Sequence, residues 1–378
     1  MFFPRVFIEV TNICDSLCVY CPNLIQERKR GFMDIELFKK IIDDLFSKHK
    51  TKRIDFHILG EPLLHKKNLE MVSYICSKKK YPVTLAIATN GNLLRTDSIQ
   101  KDLLNSGIDI IGISVRATDE HEFKLKVQKN NPLDYKDYIE AIKSFIRKVH
   151  EANSNQLVSL GYFHTVNSAF TLVFPYPFIT EKSQILNVTK FWHDLIKGYK
   201  QTIPFERVKI PSLKAGWSYE KNISLSRNLE IRMEGIGLWQ NKLISNDYFI
   251  KEVSTGKCSL YDSLAITYVG DVVGCCLDIN GENNFGNLKH SSINEIITSK
   301  KYAVFKNNIE KSRLTLPLCK RCIGTICRKD SGKEIKLGPP RFIKYYYLIK
   351  ENPGLFLKTT RIRCAEYLRN GLSFHILG

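Results

Sequence analysis

The chain has 378 residues, 43% of them hydrophobic and 25% charged, with a formal net charge of +19. That balance is ordinary for a globular protein and excludes a disordered or fibrous chain. No apolar run approaches the roughly 20 residues that span a bilayer, and the opening Met1-Phe2-Phe3-Pro4 has no secretory signal pattern. A cytoplasmic protein is therefore expected. The positive charge is spread along the chain rather than gathered in a patch, so nucleic acid is not the expected partner.

In chain order, an alternating apolar stretch (Val6, Phe7, Ile8, Val10) reads as a strand that runs into a cysteine-bearing loop. Asp34 is placed to cap a helix whose apolar face is Leu37, Phe38, Ile41, Ile42, Leu45 and Phe46. A strand is predicted over 53–59, followed by the loop Gly60-Glu61-Pro62 and a helix over 66–79. The next strand, over 83–89, ends in Asn90-Gly91 and leads to a helix over 97–105. A fourth strand follows over 109–115, then helical segments to about His150. Two further strands are predicted over 157–165 and 169–174, with a helix over 181–199. Six strand–helix alternations predict a parallel sheet with helices outside. Cys14, Glu61, Asn90 and Ser114 then fall at the carboxyl ends of successive strands, where such folds put their functional groups.

Past Ala215 the pattern changes. Short strands over 265–268 and 272–275 flank Gly270-Asp271 and predict a hairpin. Ser292 and Glu295 have capping-box spacing and start a helix to about Phe305. A cysteine-rich turn occupies 319–327. The tail from Gly338 is basic and aromatic, with Arg341, Phe342, Lys344, Tyr345, Tyr346 and Tyr347.

Nine of the eleven cysteines are clustered, which in a reducing compartment points to metal ligation rather than disulfides. Cys14, Cys18 and Cys21 form a C-x3-C-x2-C run. Three thiolates can hold three irons of a cubic four-iron cluster and leave the fourth iron open to a small molecule. A zinc site, which prefers four ligands or three and a water, is the plainer alternative.

The run resembles the radical S-adenosylmethionine (radical SAM) enzymes. The resemblance implies that Cys14, Cys18 and Cys21 ligate a [4Fe–4S] cluster whose open iron binds SAM, with Tyr20 packed near the cluster and adenine. The family's G-G-E-P motif reads here Leu59-Gly60-Glu61-Pro62, and its glutamate is expected to accept the SAM ammonium. Thr89-Asn90-Gly91 matches the family's T-N-G, and Ser114 the polar residue after the fourth strand that contacts SAM. The arginine that many members offer to the SAM carboxylate is absent, and Lys126 stands nearest to its position.

Cys258, Cys275, Cys276, Cys319, Cys322 and Cys327 form a second set, similar to the SPASM and shorter twitch domains that bind auxiliary [4Fe–4S] clusters. One auxiliary cluster is expected, held by Cys258, Cys275, Cys319 and Cys322. Strand alternation lets only one of Cys275 and Cys276 ligate, and register with the family's hairpin favours Cys275. A structural zinc site is again the alternative.

The expected fold is a partial (βα)6 TIM-like barrel over residues 1–214, a SPASM/twitch-like domain over 215–337 and a basic aromatic extension over 338–378. The resemblance implies an oxidoreductase that cleaves SAM reductively and takes a hydrogen from its substrate. One auxiliary cluster resembles the aminocyclitol dehydrogenase branch, so a sugar, cyclitol or other small substrate is expected. Peptide modification is the main alternative. A basic, zinc-stabilised nucleic-acid-binding protein is the alternative from another class. A reductase or flavodoxin-type electron donor is implied, and the tail is a candidate for contact with a membrane surface.

Overall fold

The structure is a computed structural model that describes residues 1–115, 117–127, 133–164, 177–211, 220–235, 248–258, 260–322, 324–330 and 333–336. Six parallel strands lie side by side in chain order: Val6–Ile8, Arg53–Phe56, Thr84–Thr89, Ile110–Ser114, Leu157–His164 and Leu229–Gly235. They are called strands one to six below. Helices join them across the outer face, as parallel crossovers require. Asp34 does cap the first helix, Ile35–Lys48, by accepting from the Glu36 and Leu37 amides at 3.0 Å. That helix buries Phe38, Ile41, Ile42 and Leu45 against the sheet.

The sixth parallel strand is not the segment expected over 169–174, which lies outside the described residues. It is Leu229–Gly235, paired in parallel with strand five from Val158↔Leu229 to His164↔Gly235. The sheet therefore extends past residue 214, into the stretch expected to belong to the second domain. Glu220–Ser224 covers its outer edge as an antiparallel strand.

The predicted hairpin is present as Leu264–Ile266 and Asp271–Val273. Its first strand also pairs in parallel with strand one, Leu264↔Val6 to Ile266↔Ile8, so the second module continues the barrel sheet. The capping box at Ser292 and Glu295 is formed. The helix it starts ends at Thr298, where Ser299 caps a second helix, Lys300–Glu310. A separate three-stranded sheet joins Tyr248–Lys251, Thr325–Asp330 and Lys333–Lys336. Cys327 is 1% exposed within it. The basic aromatic tail, a candidate for contact with a membrane surface, lies outside the described residues, as does Cys364. No helix among the described residues is long and apolar enough to cross a membrane.

A buried ion pair joins the cysteine loop to the second module. Glu9 is fully buried and accepts from Arg28 Nη1 and Nη2 at 2.7 Å each. Arg28 Nε donates to the Ile279 carbonyl at 2.5 Å, and the Tyr268 amide donates to Glu9 at 3.1 Å. Removing one member strands the other's charge in a dry site. Glu9→Ala is expected to destabilise the fold by about 3–5 kcal/mol in denaturant melts, with Glu9→Gln less harmful because it keeps the acceptor oxygen.

Candidate functional site

The loops after strands one, two and three are tied into one another. Gly60 has φ +77°, and a Cβ there would stand 2.4 Å from the Thr11 carbonyl oxygen and 2.8 Å from that of Ile13. Only glycine lets the second loop lie so close to the cysteine loop. The Glu61 amide then donates to the Ile13 carbonyl at 2.8 Å. Gly60→Ala is expected to cost about 2–4 kcal/mol from backbone strain and the clash together. An unchanged thermal midpoint would show that the two loops do not need this contact.

Glu61 is 1% exposed. One carboxylate oxygen accepts from the Leu63 amide at 3.1 Å and the other from the Asn90 amide at 2.6 Å. Burial pushes its carboxyl up to about 7. It is not among the residues lining the cavity described below. Through these two amides Glu61 ties the second loop to the third. Pro62 opens the short 3-10 turn Pro62–Leu64 and is likewise behind the wall.

Asn90 spans the first and third loops. Its side-chain amide donates to Asp15 at 2.6 Å and stands 3.5 Å from the Cys14 sulfur, while its oxygen accepts from the Asn92 amide at 2.8 Å. Asn92 adds bonds to Asp15 at 3.1 Å and Ser16 at 3.0 Å. Asp15, Ser16 and Asn92 were not singled out from the sequence; their signal was only adjacency to the two motifs. The Thr89 hydroxyl accepts from the Gly91 amide at 3.1 Å and fixes the turn.

Cys14, Cys18 and Cys21 open onto a cavity of about 340 Å³ inside the barrel, together with Tyr20, Gly60, Thr89, Asn90 and Ser114. The Cys21 amide donates to the Cys18 carbonyl at 2.9 Å, which winds the run into a tight turn. The Tyr20 ring meets Phe163 edge-on at 5.5 Å. Burial pushes the Cys14 and Cys21 thiols up to about 12. Coordination to a cationic metal would favour their thiolates. Ser114 ends strand four, and its carbonyl accepts from the Tyr138 hydroxyl at 3.1 Å.

Lys126 does not reach this space. It pairs with buried Glu122 one helical turn away and lies 5.4 Å from the Phe178 ring centroid. Its charge is met within its own helix, so it offers nothing to a carboxylate in the cavity. Leu59, where the motif has glycine, packs with Phe7, Ala265, Cys276 and Leu277, under the second module.

The second cysteine set also comes together. Cys319 and Cys322 sit on the helix Pro317–Cys322 at the spacing that shares one face. Burial first, and then the nearby Cys258 sulfur, push Cys319 up to about 11 and Cys322 up to about 12. Cys275 is raised well above its ordinary range by burial, then by Cys276, Cys322 and Cys258. The paired cysteines diverge. Cys276 lines the barrel cavity, where Arg5 and Asp55 are the foremost charges acting on it.

Among the described residues no three His, Cys, Asp or Glu side chains are gathered tightly enough for a single ion. The two donor sets are all thiols, and the first opens onto free volume beside Gly60, Asn90 and Ser114. Both suit iron–sulfur clusters.

Comparison with known proteins agrees with this geometry. A family model of the radical SAM superfamily matches residues 8–164, and one of the SPASM iron–sulfur cluster-binding domain matches residues 258–323. The chain is 36% identical over 110 residues to the tungsten-containing aldehyde ferredoxin oxidoreductase cofactor-modifying protein of Pyrococcus furiosus, covering 29% of this chain and 30% of that one. It is 34% identical over 123 residues to the S-adenosyl-L-methionine-dependent 2-deoxy-scyllo-inosamine dehydrogenase of Niallia circulans, covering 32% and 48%. The matched stretch is thus less than half the length of either relative. Among solved structures, Streptococcus suis SuiB bound to precursor peptide SuiA has a like fold, with TM-score 0.51 at 14% identity over 85% of this chain and 70% of that one.

Proposed function

We propose that this chain, a radical SAM enzyme with a SPASM domain, oxidises a small hydroxylated substrate such as a sugar or cyclitol inside its barrel. The barrel binds a [4Fe–4S] cluster and SAM, and the SPASM domain binds iron–sulfur as well. Bound together, these groups would supply a 5′-deoxyadenosyl radical to remove a substrate hydrogen and an auxiliary cluster to take up the remaining electron, with the hydroxyl proton passing to solvent.

The residues of the chain do the rest. Cys14, Cys18 and Cys21 hold three irons, and Asn90 steadies the Cys14 end of that loop. Gly60 lets the ligand approach the backbone, Tyr20 flanks the adenine, and Thr89, Asn90 and Ser114 offer it polar contacts. Glu61 acts as a positioning residue. Cys258, Cys275, Cys319 and Cys322 hold one auxiliary cluster. A flavodoxin-type reductase in the cytoplasm is the proposed electron source. The barrel domain runs to about residue 235 in this reading, with the SPASM-like domain after it.

The observation that carries the small-substrate reading is the cavity itself. It runs from the first cysteine set to Leu260, Cys276 and Leu277 of the second module, beside the charged interior of the barrel. A compact polar molecule there would lie between the two cysteine sets. The likeness over part of the chain to a cyclitol-type dehydrogenase supports the same class. Anaerobic reconstitution and a substrate panel test the reading. SAM-dependent 5′-deoxyadenosine formation stimulated by aminocyclitols or sugars is the expected result. Stimulation by peptides alone would move the reading to peptide modification. Zinc in place of iron, with no SAM binding, would overturn it.

A further inference from the structure

Oxidising an alcohol carbon releases its hydroxyl proton, and a positioned base speeds such a transfer by about 10²–10⁴-fold. Strand alternation turns Arg53, Asp55 and His57 to one side of strand two and its continuation, and all three line the cavity. The His57 ring is exposed, and the space it opens onto is that cavity. It makes no hydrogen bond to any described residue. The protein packed around the cavity lowers its pKa; Asp55 and Glu234 act against that lowering, and Arg5 and Arg232 with it. The ring is therefore neutral at pH 7 and keeps a lone pair on one nitrogen.

The other acceptors on the wall are occupied. Asp55 is 4% exposed and accepts from Arg5 Nε at 2.6 Å and Nη2 at 2.7 Å, and from Arg53 Nη2 at 2.7 Å. Burial alone would raise its carboxyl, but the two guanidiniums hold it below the usual range, so it takes up a proton poorly. Glu234, on strand six, accepts from Arg232 Nε at 2.5 Å. Two strand glycines make room for that pair. A Cβ at Gly161 would stand 3.0 Å from the Glu234 oxygen, and one at Gly112 3.7 Å from both Arg232 terminal nitrogens. Glu230, on the same face of strand six, takes the Ser159 hydroxyl at 2.7 Å and is not among the lining residues. Cys276 is on the wall too, but burial pushes its thiol up to about 12, so it keeps its own proton. The arginines are cations with no lone pair to offer.

We infer that His57 is the general base of the oxidation, taking the substrate's hydroxyl proton on its free ring nitrogen. The inference adds a catalytic residue to the proposed function and rests on that reading. The substrate carbon loses a hydrogen atom to the 5′-deoxyadenosyl radical, which leaves as 5′-deoxyadenosine. The same carbon then gives one electron to the auxiliary cluster. Its hydroxyl O–H bond breaks, the carbonyl forms and the proton goes to His57. The imidazolium passes that proton on to water.

The test uses the anaerobically reconstituted holoenzyme with myo-inositol, D-glucose and D-glucosamine as probes. With a probe that the parent oxidises, His57→Gln is expected to raise the 5′-deoxyadenosine released per ketone at least about a hundredfold. A substrate-derived organic radical should build up in the same samples, read by electron paramagnetic resonance. Added imidazole should restore ketone formation to His57→Ala. Iron content checks that each variant is folded. Diethyl pyrocarbonate needs no substrate: at pH 7 it should acylate His57 of the parent holoenzyme, read by peptide mass mapping, because it reacts with a neutral, accessible ring.

Three outcomes overturn the inference alone. The first is unchanged coupling in both His57 variants, with Glu234 the base where Glu234→Gln uncouples instead. The second is equal loss of 5′-deoxyadenosine and ketone in His57→Gln, which makes His57 a positioning residue. The third is a parent His57 that diethyl pyrocarbonate leaves unmodified. A parent that oxidises none of the probes fails the earlier reading, and this inference falls with it even where His57 is acylated.

Discussion

In a Cys18→Ala protein, SAM-dependent 5′-deoxyadenosine formation is expected to fall below about a thousandth of the parent rate, because groups that act as a unit fail together. Cys18 is 7% exposed at the centre of the ligand turn. Its carbonyl takes the Cys21 amide at 2.9 Å, and the neighbouring Val19 amide donates to the Lys126 carbonyl at 2.9 Å. The backbone would keep its course after the substitution, since alanine suits the same buried position. What is lost is one of three thiols in a set with no fourth. The cluster that remains would be held by two and would be labile. Iron analysis should show the barrel's share gone and about four irons retained in the second module. Cys76→Ala is the control, since that residue sits on the helix Asn68–Lys78 beside Gly107, away from both cysteine sets. Retained SAM cleavage in Cys18→Ala would reject the assignment of the first site.

The parts of the site legible in the sequence are those whose signal is local. The cysteine spacing, the Gly-Glu-Pro loop, the Asn-Gly turn and the Asp34 and Ser292 caps each depend on residues a few positions apart. Direction was not local. Spacing placed Glu61 at the right strand end, yet only the fold shows its carboxylate claimed by the Leu63 and Asn90 amides. Lys126 is near the right helix, but Glu122 one turn earlier neutralises it.

The sixth strand was missed for a different reason. Leu229-Glu-Ile-Arg-Met-Glu-Gly235 alternates strictly, and its buried face is Leu229, Ile231, Met233 and Gly235. Its polar face points into the barrel rather than to solvent, so alternation alone does not assign the strand to the barrel. Gly112 and Gly161 were available signals for the same interior. Their meaning depended on Arg232 and Glu234, which lie far along the chain.

The adjacent cysteines of the second module should separate cleanly. Cys275→Ala is expected to remove the auxiliary cluster, leaving about four irons per chain, whereas Cys276→Ala should retain about eight. The strand Asp271–Val273 delivers both residues just past its end, where consecutive side chains point to opposite sides. Cys275 lies near enough to Cys322 and Cys258 for their charges to raise its pKa, and Cys258 does the same to Cys319. Those four thiols share one neighbourhood. Cys276 faces the cavity beside Arg5 and Asp55, although Cys258 and Cys322 also lie within range of its charge. That last proximity makes the paired measurement necessary, because a cluster could recruit Cys276 once Cys275 is gone. The two variants differ even then. Recruitment would restore iron to Cys275→Ala with an altered absorption spectrum, while the Cys275→Ala, Cys276→Ala double variant would lose it. Iron lost from Cys276→Ala but kept in Cys275→Ala would reverse the assignment and turn Cys275, not Cys276, into the residue without a cluster.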